Sequence, residues 1–258
     1  MKRKVVLIAL LIVAVLLFTS IINSNPTDDR VEFNFEPTSE GQTIKREYYS
    51  FSYSEEHEQS KWVSYEVTHE SILGEAVRKG SFRNDPLVDT KTASTKDYTN
   101  SGYDRGHLAP ALDLKATSES MYESFYMSNI SPQTPGFNRG VWKRLESQTR
   151  MWAIENSGLF VTTGPVLTTF IDTIGVSNRI PVPKYYYKVL LDYKDPEYKM
   201  IAFIIPNERS SQPLSDFIIS VDSLEILTNI DFYSNLPDEL EKILEKGKTV
   251  KTSNWEFR

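Results

Sequence analysis

Val5 to Phe18 is an unbroken apolar run, and Ile21–Ile22 extends it past Thr19–Ser20. The stretch is near the roughly 20 residues that span a bilayer as a helix. It follows Lys2-Arg3-Lys4, and basic residues hold that end on the cytoplasmic side. The rest of the chain is therefore expected outside the cytoplasm, periplasmic or extracellular. An uncleaved signal anchor would tether it to the membrane; a cleaved signal peptide would leave it secreted. No small-residue site of the A-x-A kind follows Phe18, where the chain reads Thr19-Ser-Ile-Ile-Asn-Ser-Asn-Pro26, and this favours the anchor. A core helix rarely opens with three basic residues and continues without a polar face. Residues 1–24 are assigned to this segment.

Residues 25–46 are polar, rich in Asn, Thr, Asp and Glu, and read as a linker. From about Tyr48 the pattern becomes that of a folded domain, taken as 47–258. Tyr49-Ser-Phe51-Ser-Tyr53 alternates as a half-buried strand does, and Trp62–Val67 predicts a second strand. Residues 80–103 carry Gly, Asn, Asp, Pro, Ser and Thr and predict a long loop. Leu159–Thr163, closed by Gly164-Pro165, predicts a buried strand. Tyr185–Leu191 and Met200–Ile205 flank the turn-rich Lys194-Asp-Pro-Glu197 and predict an antiparallel pair. Val141, Trp142, Leu145 and Trp152 share one face of a helix beginning near 138. Val221–Thr228 and Leu236–Lys246 predict two more helices, the second with Pro237-Asp-Glu239 in its first turn. No internal repeat interrupts the pattern. The fold class is α+β, in one domain.

Composition changes this picture little. A hydrophobic share of 40% with 25% charged residues is ordinary for a globular core, which at this size needs no covalent staples. The chain has no cysteine, which excludes disulfides, thiolate metal sites, a cysteine nucleophile and a lipoprotein anchor. The net charge of -6 argues against a protein that coats a duplex, where phosphate contacts dominate affinity. It leaves room for an enzyme that grips a few phosphates at one cleft.

Phosphodiester hydrolysis needs a group that activates water and charge that neutralises phosphate and leaving oxygen, work commonly divided between a histidine and a divalent metal. The chain has three histidines, His57, His69 and His107. The first two stand among charged strand and turn residues and read as exposed and inert. His107 lies in Tyr103-Asp-Arg-Gly-His-Leu-Ala-Pro110. In an extended segment Arg105 shares its face, which pairs a base with a phosphate clamp, and Gly106 leaves room for a substrate backbone. A hydrogen-bonded histidine at a strand end fits the same spacing. Downstream, Asn138 opens the helix, where asparagine is a favoured N-cap. Glu146 is eight positions on, and eight steps of about 100° bring it within about 80° of Asn138, so that both can border one cleft or Glu146 can be a solvated surface carboxylate. Arg139, Lys143, Arg144 and Arg150 make the same helix basic.

Asp104-Arg-Gly-His107 with Leu-Ala-Pro110, then Ser128-Asn-Ile-Ser-Pro-Gln133, then Asn138, Trp142, Leu145 and Glu146 resemble the DNA/RNA non-specific endonucleases. The stronger part of the match runs from Asp85 to Arg150; a weaker part continues through Thr163-Gly-Pro165, Val182–Lys188 and Ile205-Pro-Asn207. The resemblance implies a central antiparallel sheet flanked by helices around a ββα-metal core. It implies His107 as general base, Asn138 as ligand of Mg2+ (Mn2+ or another divalent cation can substitute), and Glu146 as the carboxylate holding metal-bound waters. Arg105 would contact phosphate, Asn129 would shape the site near the histidine, and Arg78, with Arg83 as competitor, would bind substrate. The expected activity is metal-dependent cleavage of DNA and/or RNA with little sequence preference, leaving 5′-phosphate ends. The expected partners are the nucleic acid and, through the N-terminal helix, a membrane; a homodimer is compatible, and no small-molecule cofactor is implied. Two rivals remain: a catalytically silent nucleic-acid-binding or scaffold module of the same fold, and a metal phosphatase, which would need more Asp and His ligands than one histidine provides.

Overall fold

The computed structural model describes residues 35–78, 80–194, 198–246 and 255–257. The membrane segment expected over 1–24 lies outside them. The strands are β1 (Thr43–Lys45), β2 (Ser50–Ser54), β3 (Gln59–Val67), β4 (Asp104–His107), β5 (Ile130–Gln133), β6 (Leu159–Pro165), β7 (Phe170–Ile174), β8 (Ile180–Pro183), β9 (Tyr185–Asp192), β10 (Lys199–Pro206) and β11 (Ile218–Ile219). The helices are α1 (His69–Leu73), α2 (Thr95–Tyr98), α3 (Ser118–Glu123), α4 (Lys143–Glu155), α5 (Val221–Thr228) and α6 (Asp238–Glu245).

The main sheet has seven strands in the order β1-β2-β3-β6-β9-β10-β11, and every pairing is antiparallel. The β9–β10 pair runs in register from Lys199↔Asp192 to Pro206↔Tyr185. Nearly all of β9 is buried, because both faces of the sheet are covered; this explains a continuous apolar run where a half-exposed strand would alternate. Helix α4 covers one face, with the Trp152 ring stacked 6.1 Å from Phe203. On the other, Tyr187 meets Phe232 at 5.4 Å, and the Tyr233 hydroxyl donates to the Phe160 carbonyl at 3.1 Å.

Residues 35–46, expected to belong to a linker, are part of the domain. Thr43–Lys45 is an edge strand on β2. The Phe35 ring stacks on Phe160 at 3.3 Å, and Arg46 forms buried ion pairs with Asp85 and Glu123. Bonds from the sheet also hold the stretch: Lys61 donates to the Glu40 carbonyl at 2.7 Å and Trp62 to Ser39 Oγ at 2.8 Å. The loop expected over 80–103 contains α2, whose Asp97 carboxylate accepts backbone N–H bonds from Val176 and Ser177 at 3.0 and 2.8 Å. That anchors the β7–β8 turn.

Strands β4 and β5 form a separate hairpin, paired from Asp104↔Gln133 to His107↔Ile130. After β5 the chain enters a wide π-helical turn, Phe137–Trp142, and kinks at Gly140 (φ -108°, ψ -109°) before α4. The regular helix expected from 138 therefore begins at Lys143. Phe137, Trp142 and Tyr186 stack at 5.1 Å spacings, and the Tyr186 hydroxyl donates to the Pro132 carbonyl at 2.8 Å. Asn207 donates to Pro132 and Pro183 carbonyls and accepts from the Thr134 N–H at 2.8 Å. These contacts fix hairpin and turn to the sheet.

Candidate active site

Arg105 and His107 lie two residues apart on β4, so their side chains share a face. Phe82 packs against both, its ring 5.5 Å from the imidazole and 5.8 Å from the guanidinium carbon. Phe125 meets the imidazole edge-on at 5.2 Å. His107 Nε2 is buried and has no hydrogen-bond partner. Burial, and then the positive charge of Arg78, depress the imidazole to about 3, so the ring is neutral at physiological pH. Arg78 lies 5.0 Å over the Phe125 ring. Its competitor Arg83 is instead spent on Tyr122, over whose ring it lies at 3.3 Å and to whose carbonyl it donates at 2.9 Å.

A pH dependence follows. The unfolded chain takes up the His107 proton near the ordinary histidine value of about 6.5, whereas the folded chain resists it down to about 3. Stability is full above about 6.5 and falls as pH drops, by about 2 kcal/mol at pH 5. Denaturant titrations at pH 7 and pH 5 should show that drop reduced by about this amount in His107→Gln; an equal drop in both proteins would refute the assignment.

Arg105 Nη2 donates to the Thr95 carbonyl at 2.7 Å and to Thr99 Oγ1 at 3.2 Å, which orients the guanidinium, while Nε is buried without a partner. Asn129 is fully buried. Its Oδ1 accepts from the Ala109 N–H at 2.8 Å, and its Nδ2 donates to the Ala109 and Ser124 carbonyls, both at 2.9 Å. It holds the turn that follows His107.

Asn138 does not cap a helix through its side chain. Its Nδ2 donates to Asp104 Oδ2 at 2.9 Å, and its backbone N–H donates to the Thr134 carbonyl. Arg139 grips both Asp104 oxygens, at 2.8 and 2.5 Å. Burial raises the Asp104 carboxyl, but these donors outweigh it and hold the group below its usual range. With Nδ2 engaged, Asn138 presents Oδ1 as its remaining atom. Glu146 sits near a buried set comprising Asp113, Lys188 and Arg150; burial first, then Asp113, raises its carboxyl above the ordinary value. The kink at Gly140 replaces the regular 100° step used to relate Asn138 to Glu146.

The space expected at Gly106 for a substrate backbone is filled from within the protein. A Cβ there would overlap the Gln133 side chain, and Gln133 is fully buried. Gly106→Ala should therefore destabilise the fold by about 1–3 kcal/mol; an unchanged urea midpoint would contradict it. Of the remaining histidines, His69 is exposed. His57 is half-buried rather than exposed, its Nδ1 2.8 Å from Ser54 Oγ.

Residues 98–105 with Pro135 and Arg139 line an open cleft of about 450 Å3. From Arg139 a second cavity, about 420 Å3, continues along Lys143, Arg144, Ser147 and Met151. Asp104, bound to Asn138 and Arg139, and Asp113, bound to Arg150 and Tyr65, organise these side chains and are not among the residues expected to do so. Asp104 stands within the motif, which was its signal; Asp113 carried none.

The model of the family described as DNA/RNA non-specific endonuclease matches residues 27–239. The mitochondrial nuclease EXOG of Danio rerio is 36% identical over 201 residues, covering 72% of this chain and 59% of that protein; the chain thus spans about three fifths of that relative's length. Nuclease C1 of Cunninghamella echinulata var. echinulata is 34% identical over 212 residues, covering 75% of this chain and 83% of that one. A solved structure described as the EndoG/EndoGI complex superposes with a TM-score of 0.71 at 30% identity, covering 76% of this chain and 87% of that chain. The expectation of a membrane-anchored domain outside the cytoplasm is overturned by these findings. The finding behind this correction is that the Danio rerio relative is named mitochondrial; among the described residues, which do not include 1–24, no helix is long and apolar enough to cross a membrane. The antiparallel sheet with its helices, the ordered motif residues and the extent of the match together establish that the chain belongs to the DNA/RNA non-specific endonuclease family.

Proposed function

We propose that this protein is a metal-dependent endonuclease that hydrolyses phosphodiester bonds of DNA and/or RNA with little sequence preference and leaves 5′-phosphate ends. The observation that carries the reading is the Asp104 bridge. One carboxylate, on the strand that bears His107, fixes the amide of Asn138, so the base and the cation ligand belong to one ββα unit. The donor set suits a hard cation. Asn138 Oδ1 is a neutral oxygen, Glu146 is a carboxylate on the following helix, and no thiolate exists. Mg2+ is commonly held by one or two protein oxygens and retains several waters, so Asn138 would hold it and Glu146 would hold its waters.

When bound, the cation supplies charge that neutralises the phosphate and the departing oxygen. His107, neutral, accepts a proton from the attacking water at Nδ1, the nitrogen other than the sealed Nε2. Phe82 and Phe125 hold the ring and keep it unprotonated. Arg105, oriented by Thr95 and Thr99, and Arg78 offer positive charge to the phosphate.

Matched DNA and RNA substrates should be digested in Mg2+ and protected by EDTA. Binding of either polymer without cleavage in Mg2+ or Mn2+ would replace this reading with that of a silent binding module.

A further inference from the structure

The cavity of about 420 Å3 that continues from Arg139 along α4 combines two chemistries. Arg139, Lys143 and Arg144 make it basic, on a chain of net charge -6, and no carboxylate among the described residues lines it. All three are exposed. Arg139 is already paired with Asp104. Arg144 spends part of its guanidinium on the Gln212 carbonyl, to which Nη2 donates at 2.8 Å, and so fixes the wall that carries Leu214. Lys143 stands at the start of the helix with its ammonium toward solvent.

Met151, Leu214 and Phe257 supply the apolar part. Phe257 is half-buried, and its ring is held edge to face 5.2 Å from Trp152 and 6.4 Å from Phe203. The segment that carries it is pinned to α4. Gln148 Nε2 and Trp152 Nε1 both donate to the Glu256 carbonyl, at 3.1 and 2.8 Å. An aromatic ring thus stands at a fixed place beside a basic helix face. Lys143, Ser147 and Met151 follow one another on that face at four-residue steps, over about 12 Å.

A basic rim alone suits any phosphate. A basic rim beside a held aromatic ring suits a phosphate that carries an unpaired base, because in a duplex the faces of the bases are already stacked on one another. The volume is that of a small-ligand site. The cavity also continues the candidate active site: Arg139 lines both it and the open cleft that contains Arg105. A strand gripped at Arg105 therefore has a path past the Asn138 turn into the cavity. We infer that this cavity is a subsite for an unpaired nucleotide flanking the bond that is cut, with Lys143 and Arg144 facing its phosphate and Phe257 and Met151 receiving its base. Single-stranded nucleic acid is accordingly held more tightly than blunt duplex. The position relative to the cut rests on the endonuclease reading; the binding does not.

The test is fluorescence anisotropy in EDTA, where no cleavage competes, with labelled oligo-dT and a blunt DNA duplex of the same length as probes. Phe257→Leu, which keeps an apolar side chain and removes the ring, should weaken oligo-dT binding about tenfold and change duplex binding by less than about twofold. Phe257→Tyr, which keeps the ring, should bind oligo-dT as the wild type does. Lys143→Ala should reduce the slope of log affinity against log salt for oligo-dT by about 0.7, the share of one phosphate contact on a single strand. This exposed position carries the test if Phe257→Leu does not fold. Unchanged oligo-dT binding and salt slope, or losses as large on the duplex as on the single strand, would overturn the inference. A wild-type protein that binds oligo-dT through Phe257 and Lys143 yet cuts nothing in Mg2+ would end the endonuclease reading and leave the subsite standing. One that cuts in Mg2+, while both variants bind as it does, would end the subsite and leave the reading standing.

Discussion

Replacing His107 by alanine is expected to lower nucleic-acid cleavage by about 10^2–10^4-fold, the usual worth of a positioned general base. The state of the ring matters as much as its place. Burial between Phe82 and Phe125, and the charge of Arg78, depress the imidazole to about 3. The ring is therefore neutral near physiological pH, though a weak base, and an acid limb in the rate is expected from another group, for which Glu146, raised by burial and Asp113, is the candidate. The variant leaves a small cavity against two aromatic rings, so a modest fall in Tm is expected with it. His107→Gln, closer in volume, separates the two effects: it should restore much of the Tm and none of the rate. A plasmid-digestion assay in Mg2+ with either variant cutting near the wild-type rate would remove His107 from the chemistry.

How far the sequence could be read depended on how local the determining interactions are. Alternation in Tyr49–Tyr53 and the apolar runs at Tyr185 and Met200 predict strands because burial of neighbouring side chains decides them; β2, β9 and β10 are found there. Arg105 and His107 share a face for the same local reason. Asn138 was different. Its position suggested a cap, because N-capping is the local use of asparagine, and the partner that orients it, Asp104, is 34 residues away. Arg46 shows the same limit. In a polar stretch it resembled a linker residue, yet its ion pairs reach Asp85 and Glu123, which no local pattern could place. Gly106 was misjudged for want of Gln133, brought beside it only by hairpin pairing.

Asn138→Ala should remove the protein's own ligand to the cation and with it the activity, by about 10^3-fold or more, since a bound cation contributes several kcal/mol of charge stabilisation. Isothermal titration with Mg2+ should show the loss directly, without substrate. The companion substitutions give the prediction its shape. Asp104→Ala leaves the Asn138 oxygen in place but frees its amide and releases Arg139, so a smaller loss is expected, about 10–100-fold, as for groups that orient a ligand. Asn138→Asp adds a formal charge that should favour a cation, yet it replaces the N–H donor with an oxygen facing Asp104 Oδ2. Two carboxylates at that separation repel, and the side chain must turn away or take up a proton. It should therefore not restore the wild-type rate near neutral pH. The order expected in both Mg2+ affinity and cleavage is wild type, then Asp104→Ala, then Asn138→Ala. Asn138→Ala binding Mg2+ and cutting plasmid as well as Asp104→Ala would place the cation on other residues and dissolve the link between the Asp104 bridge and the chemistry.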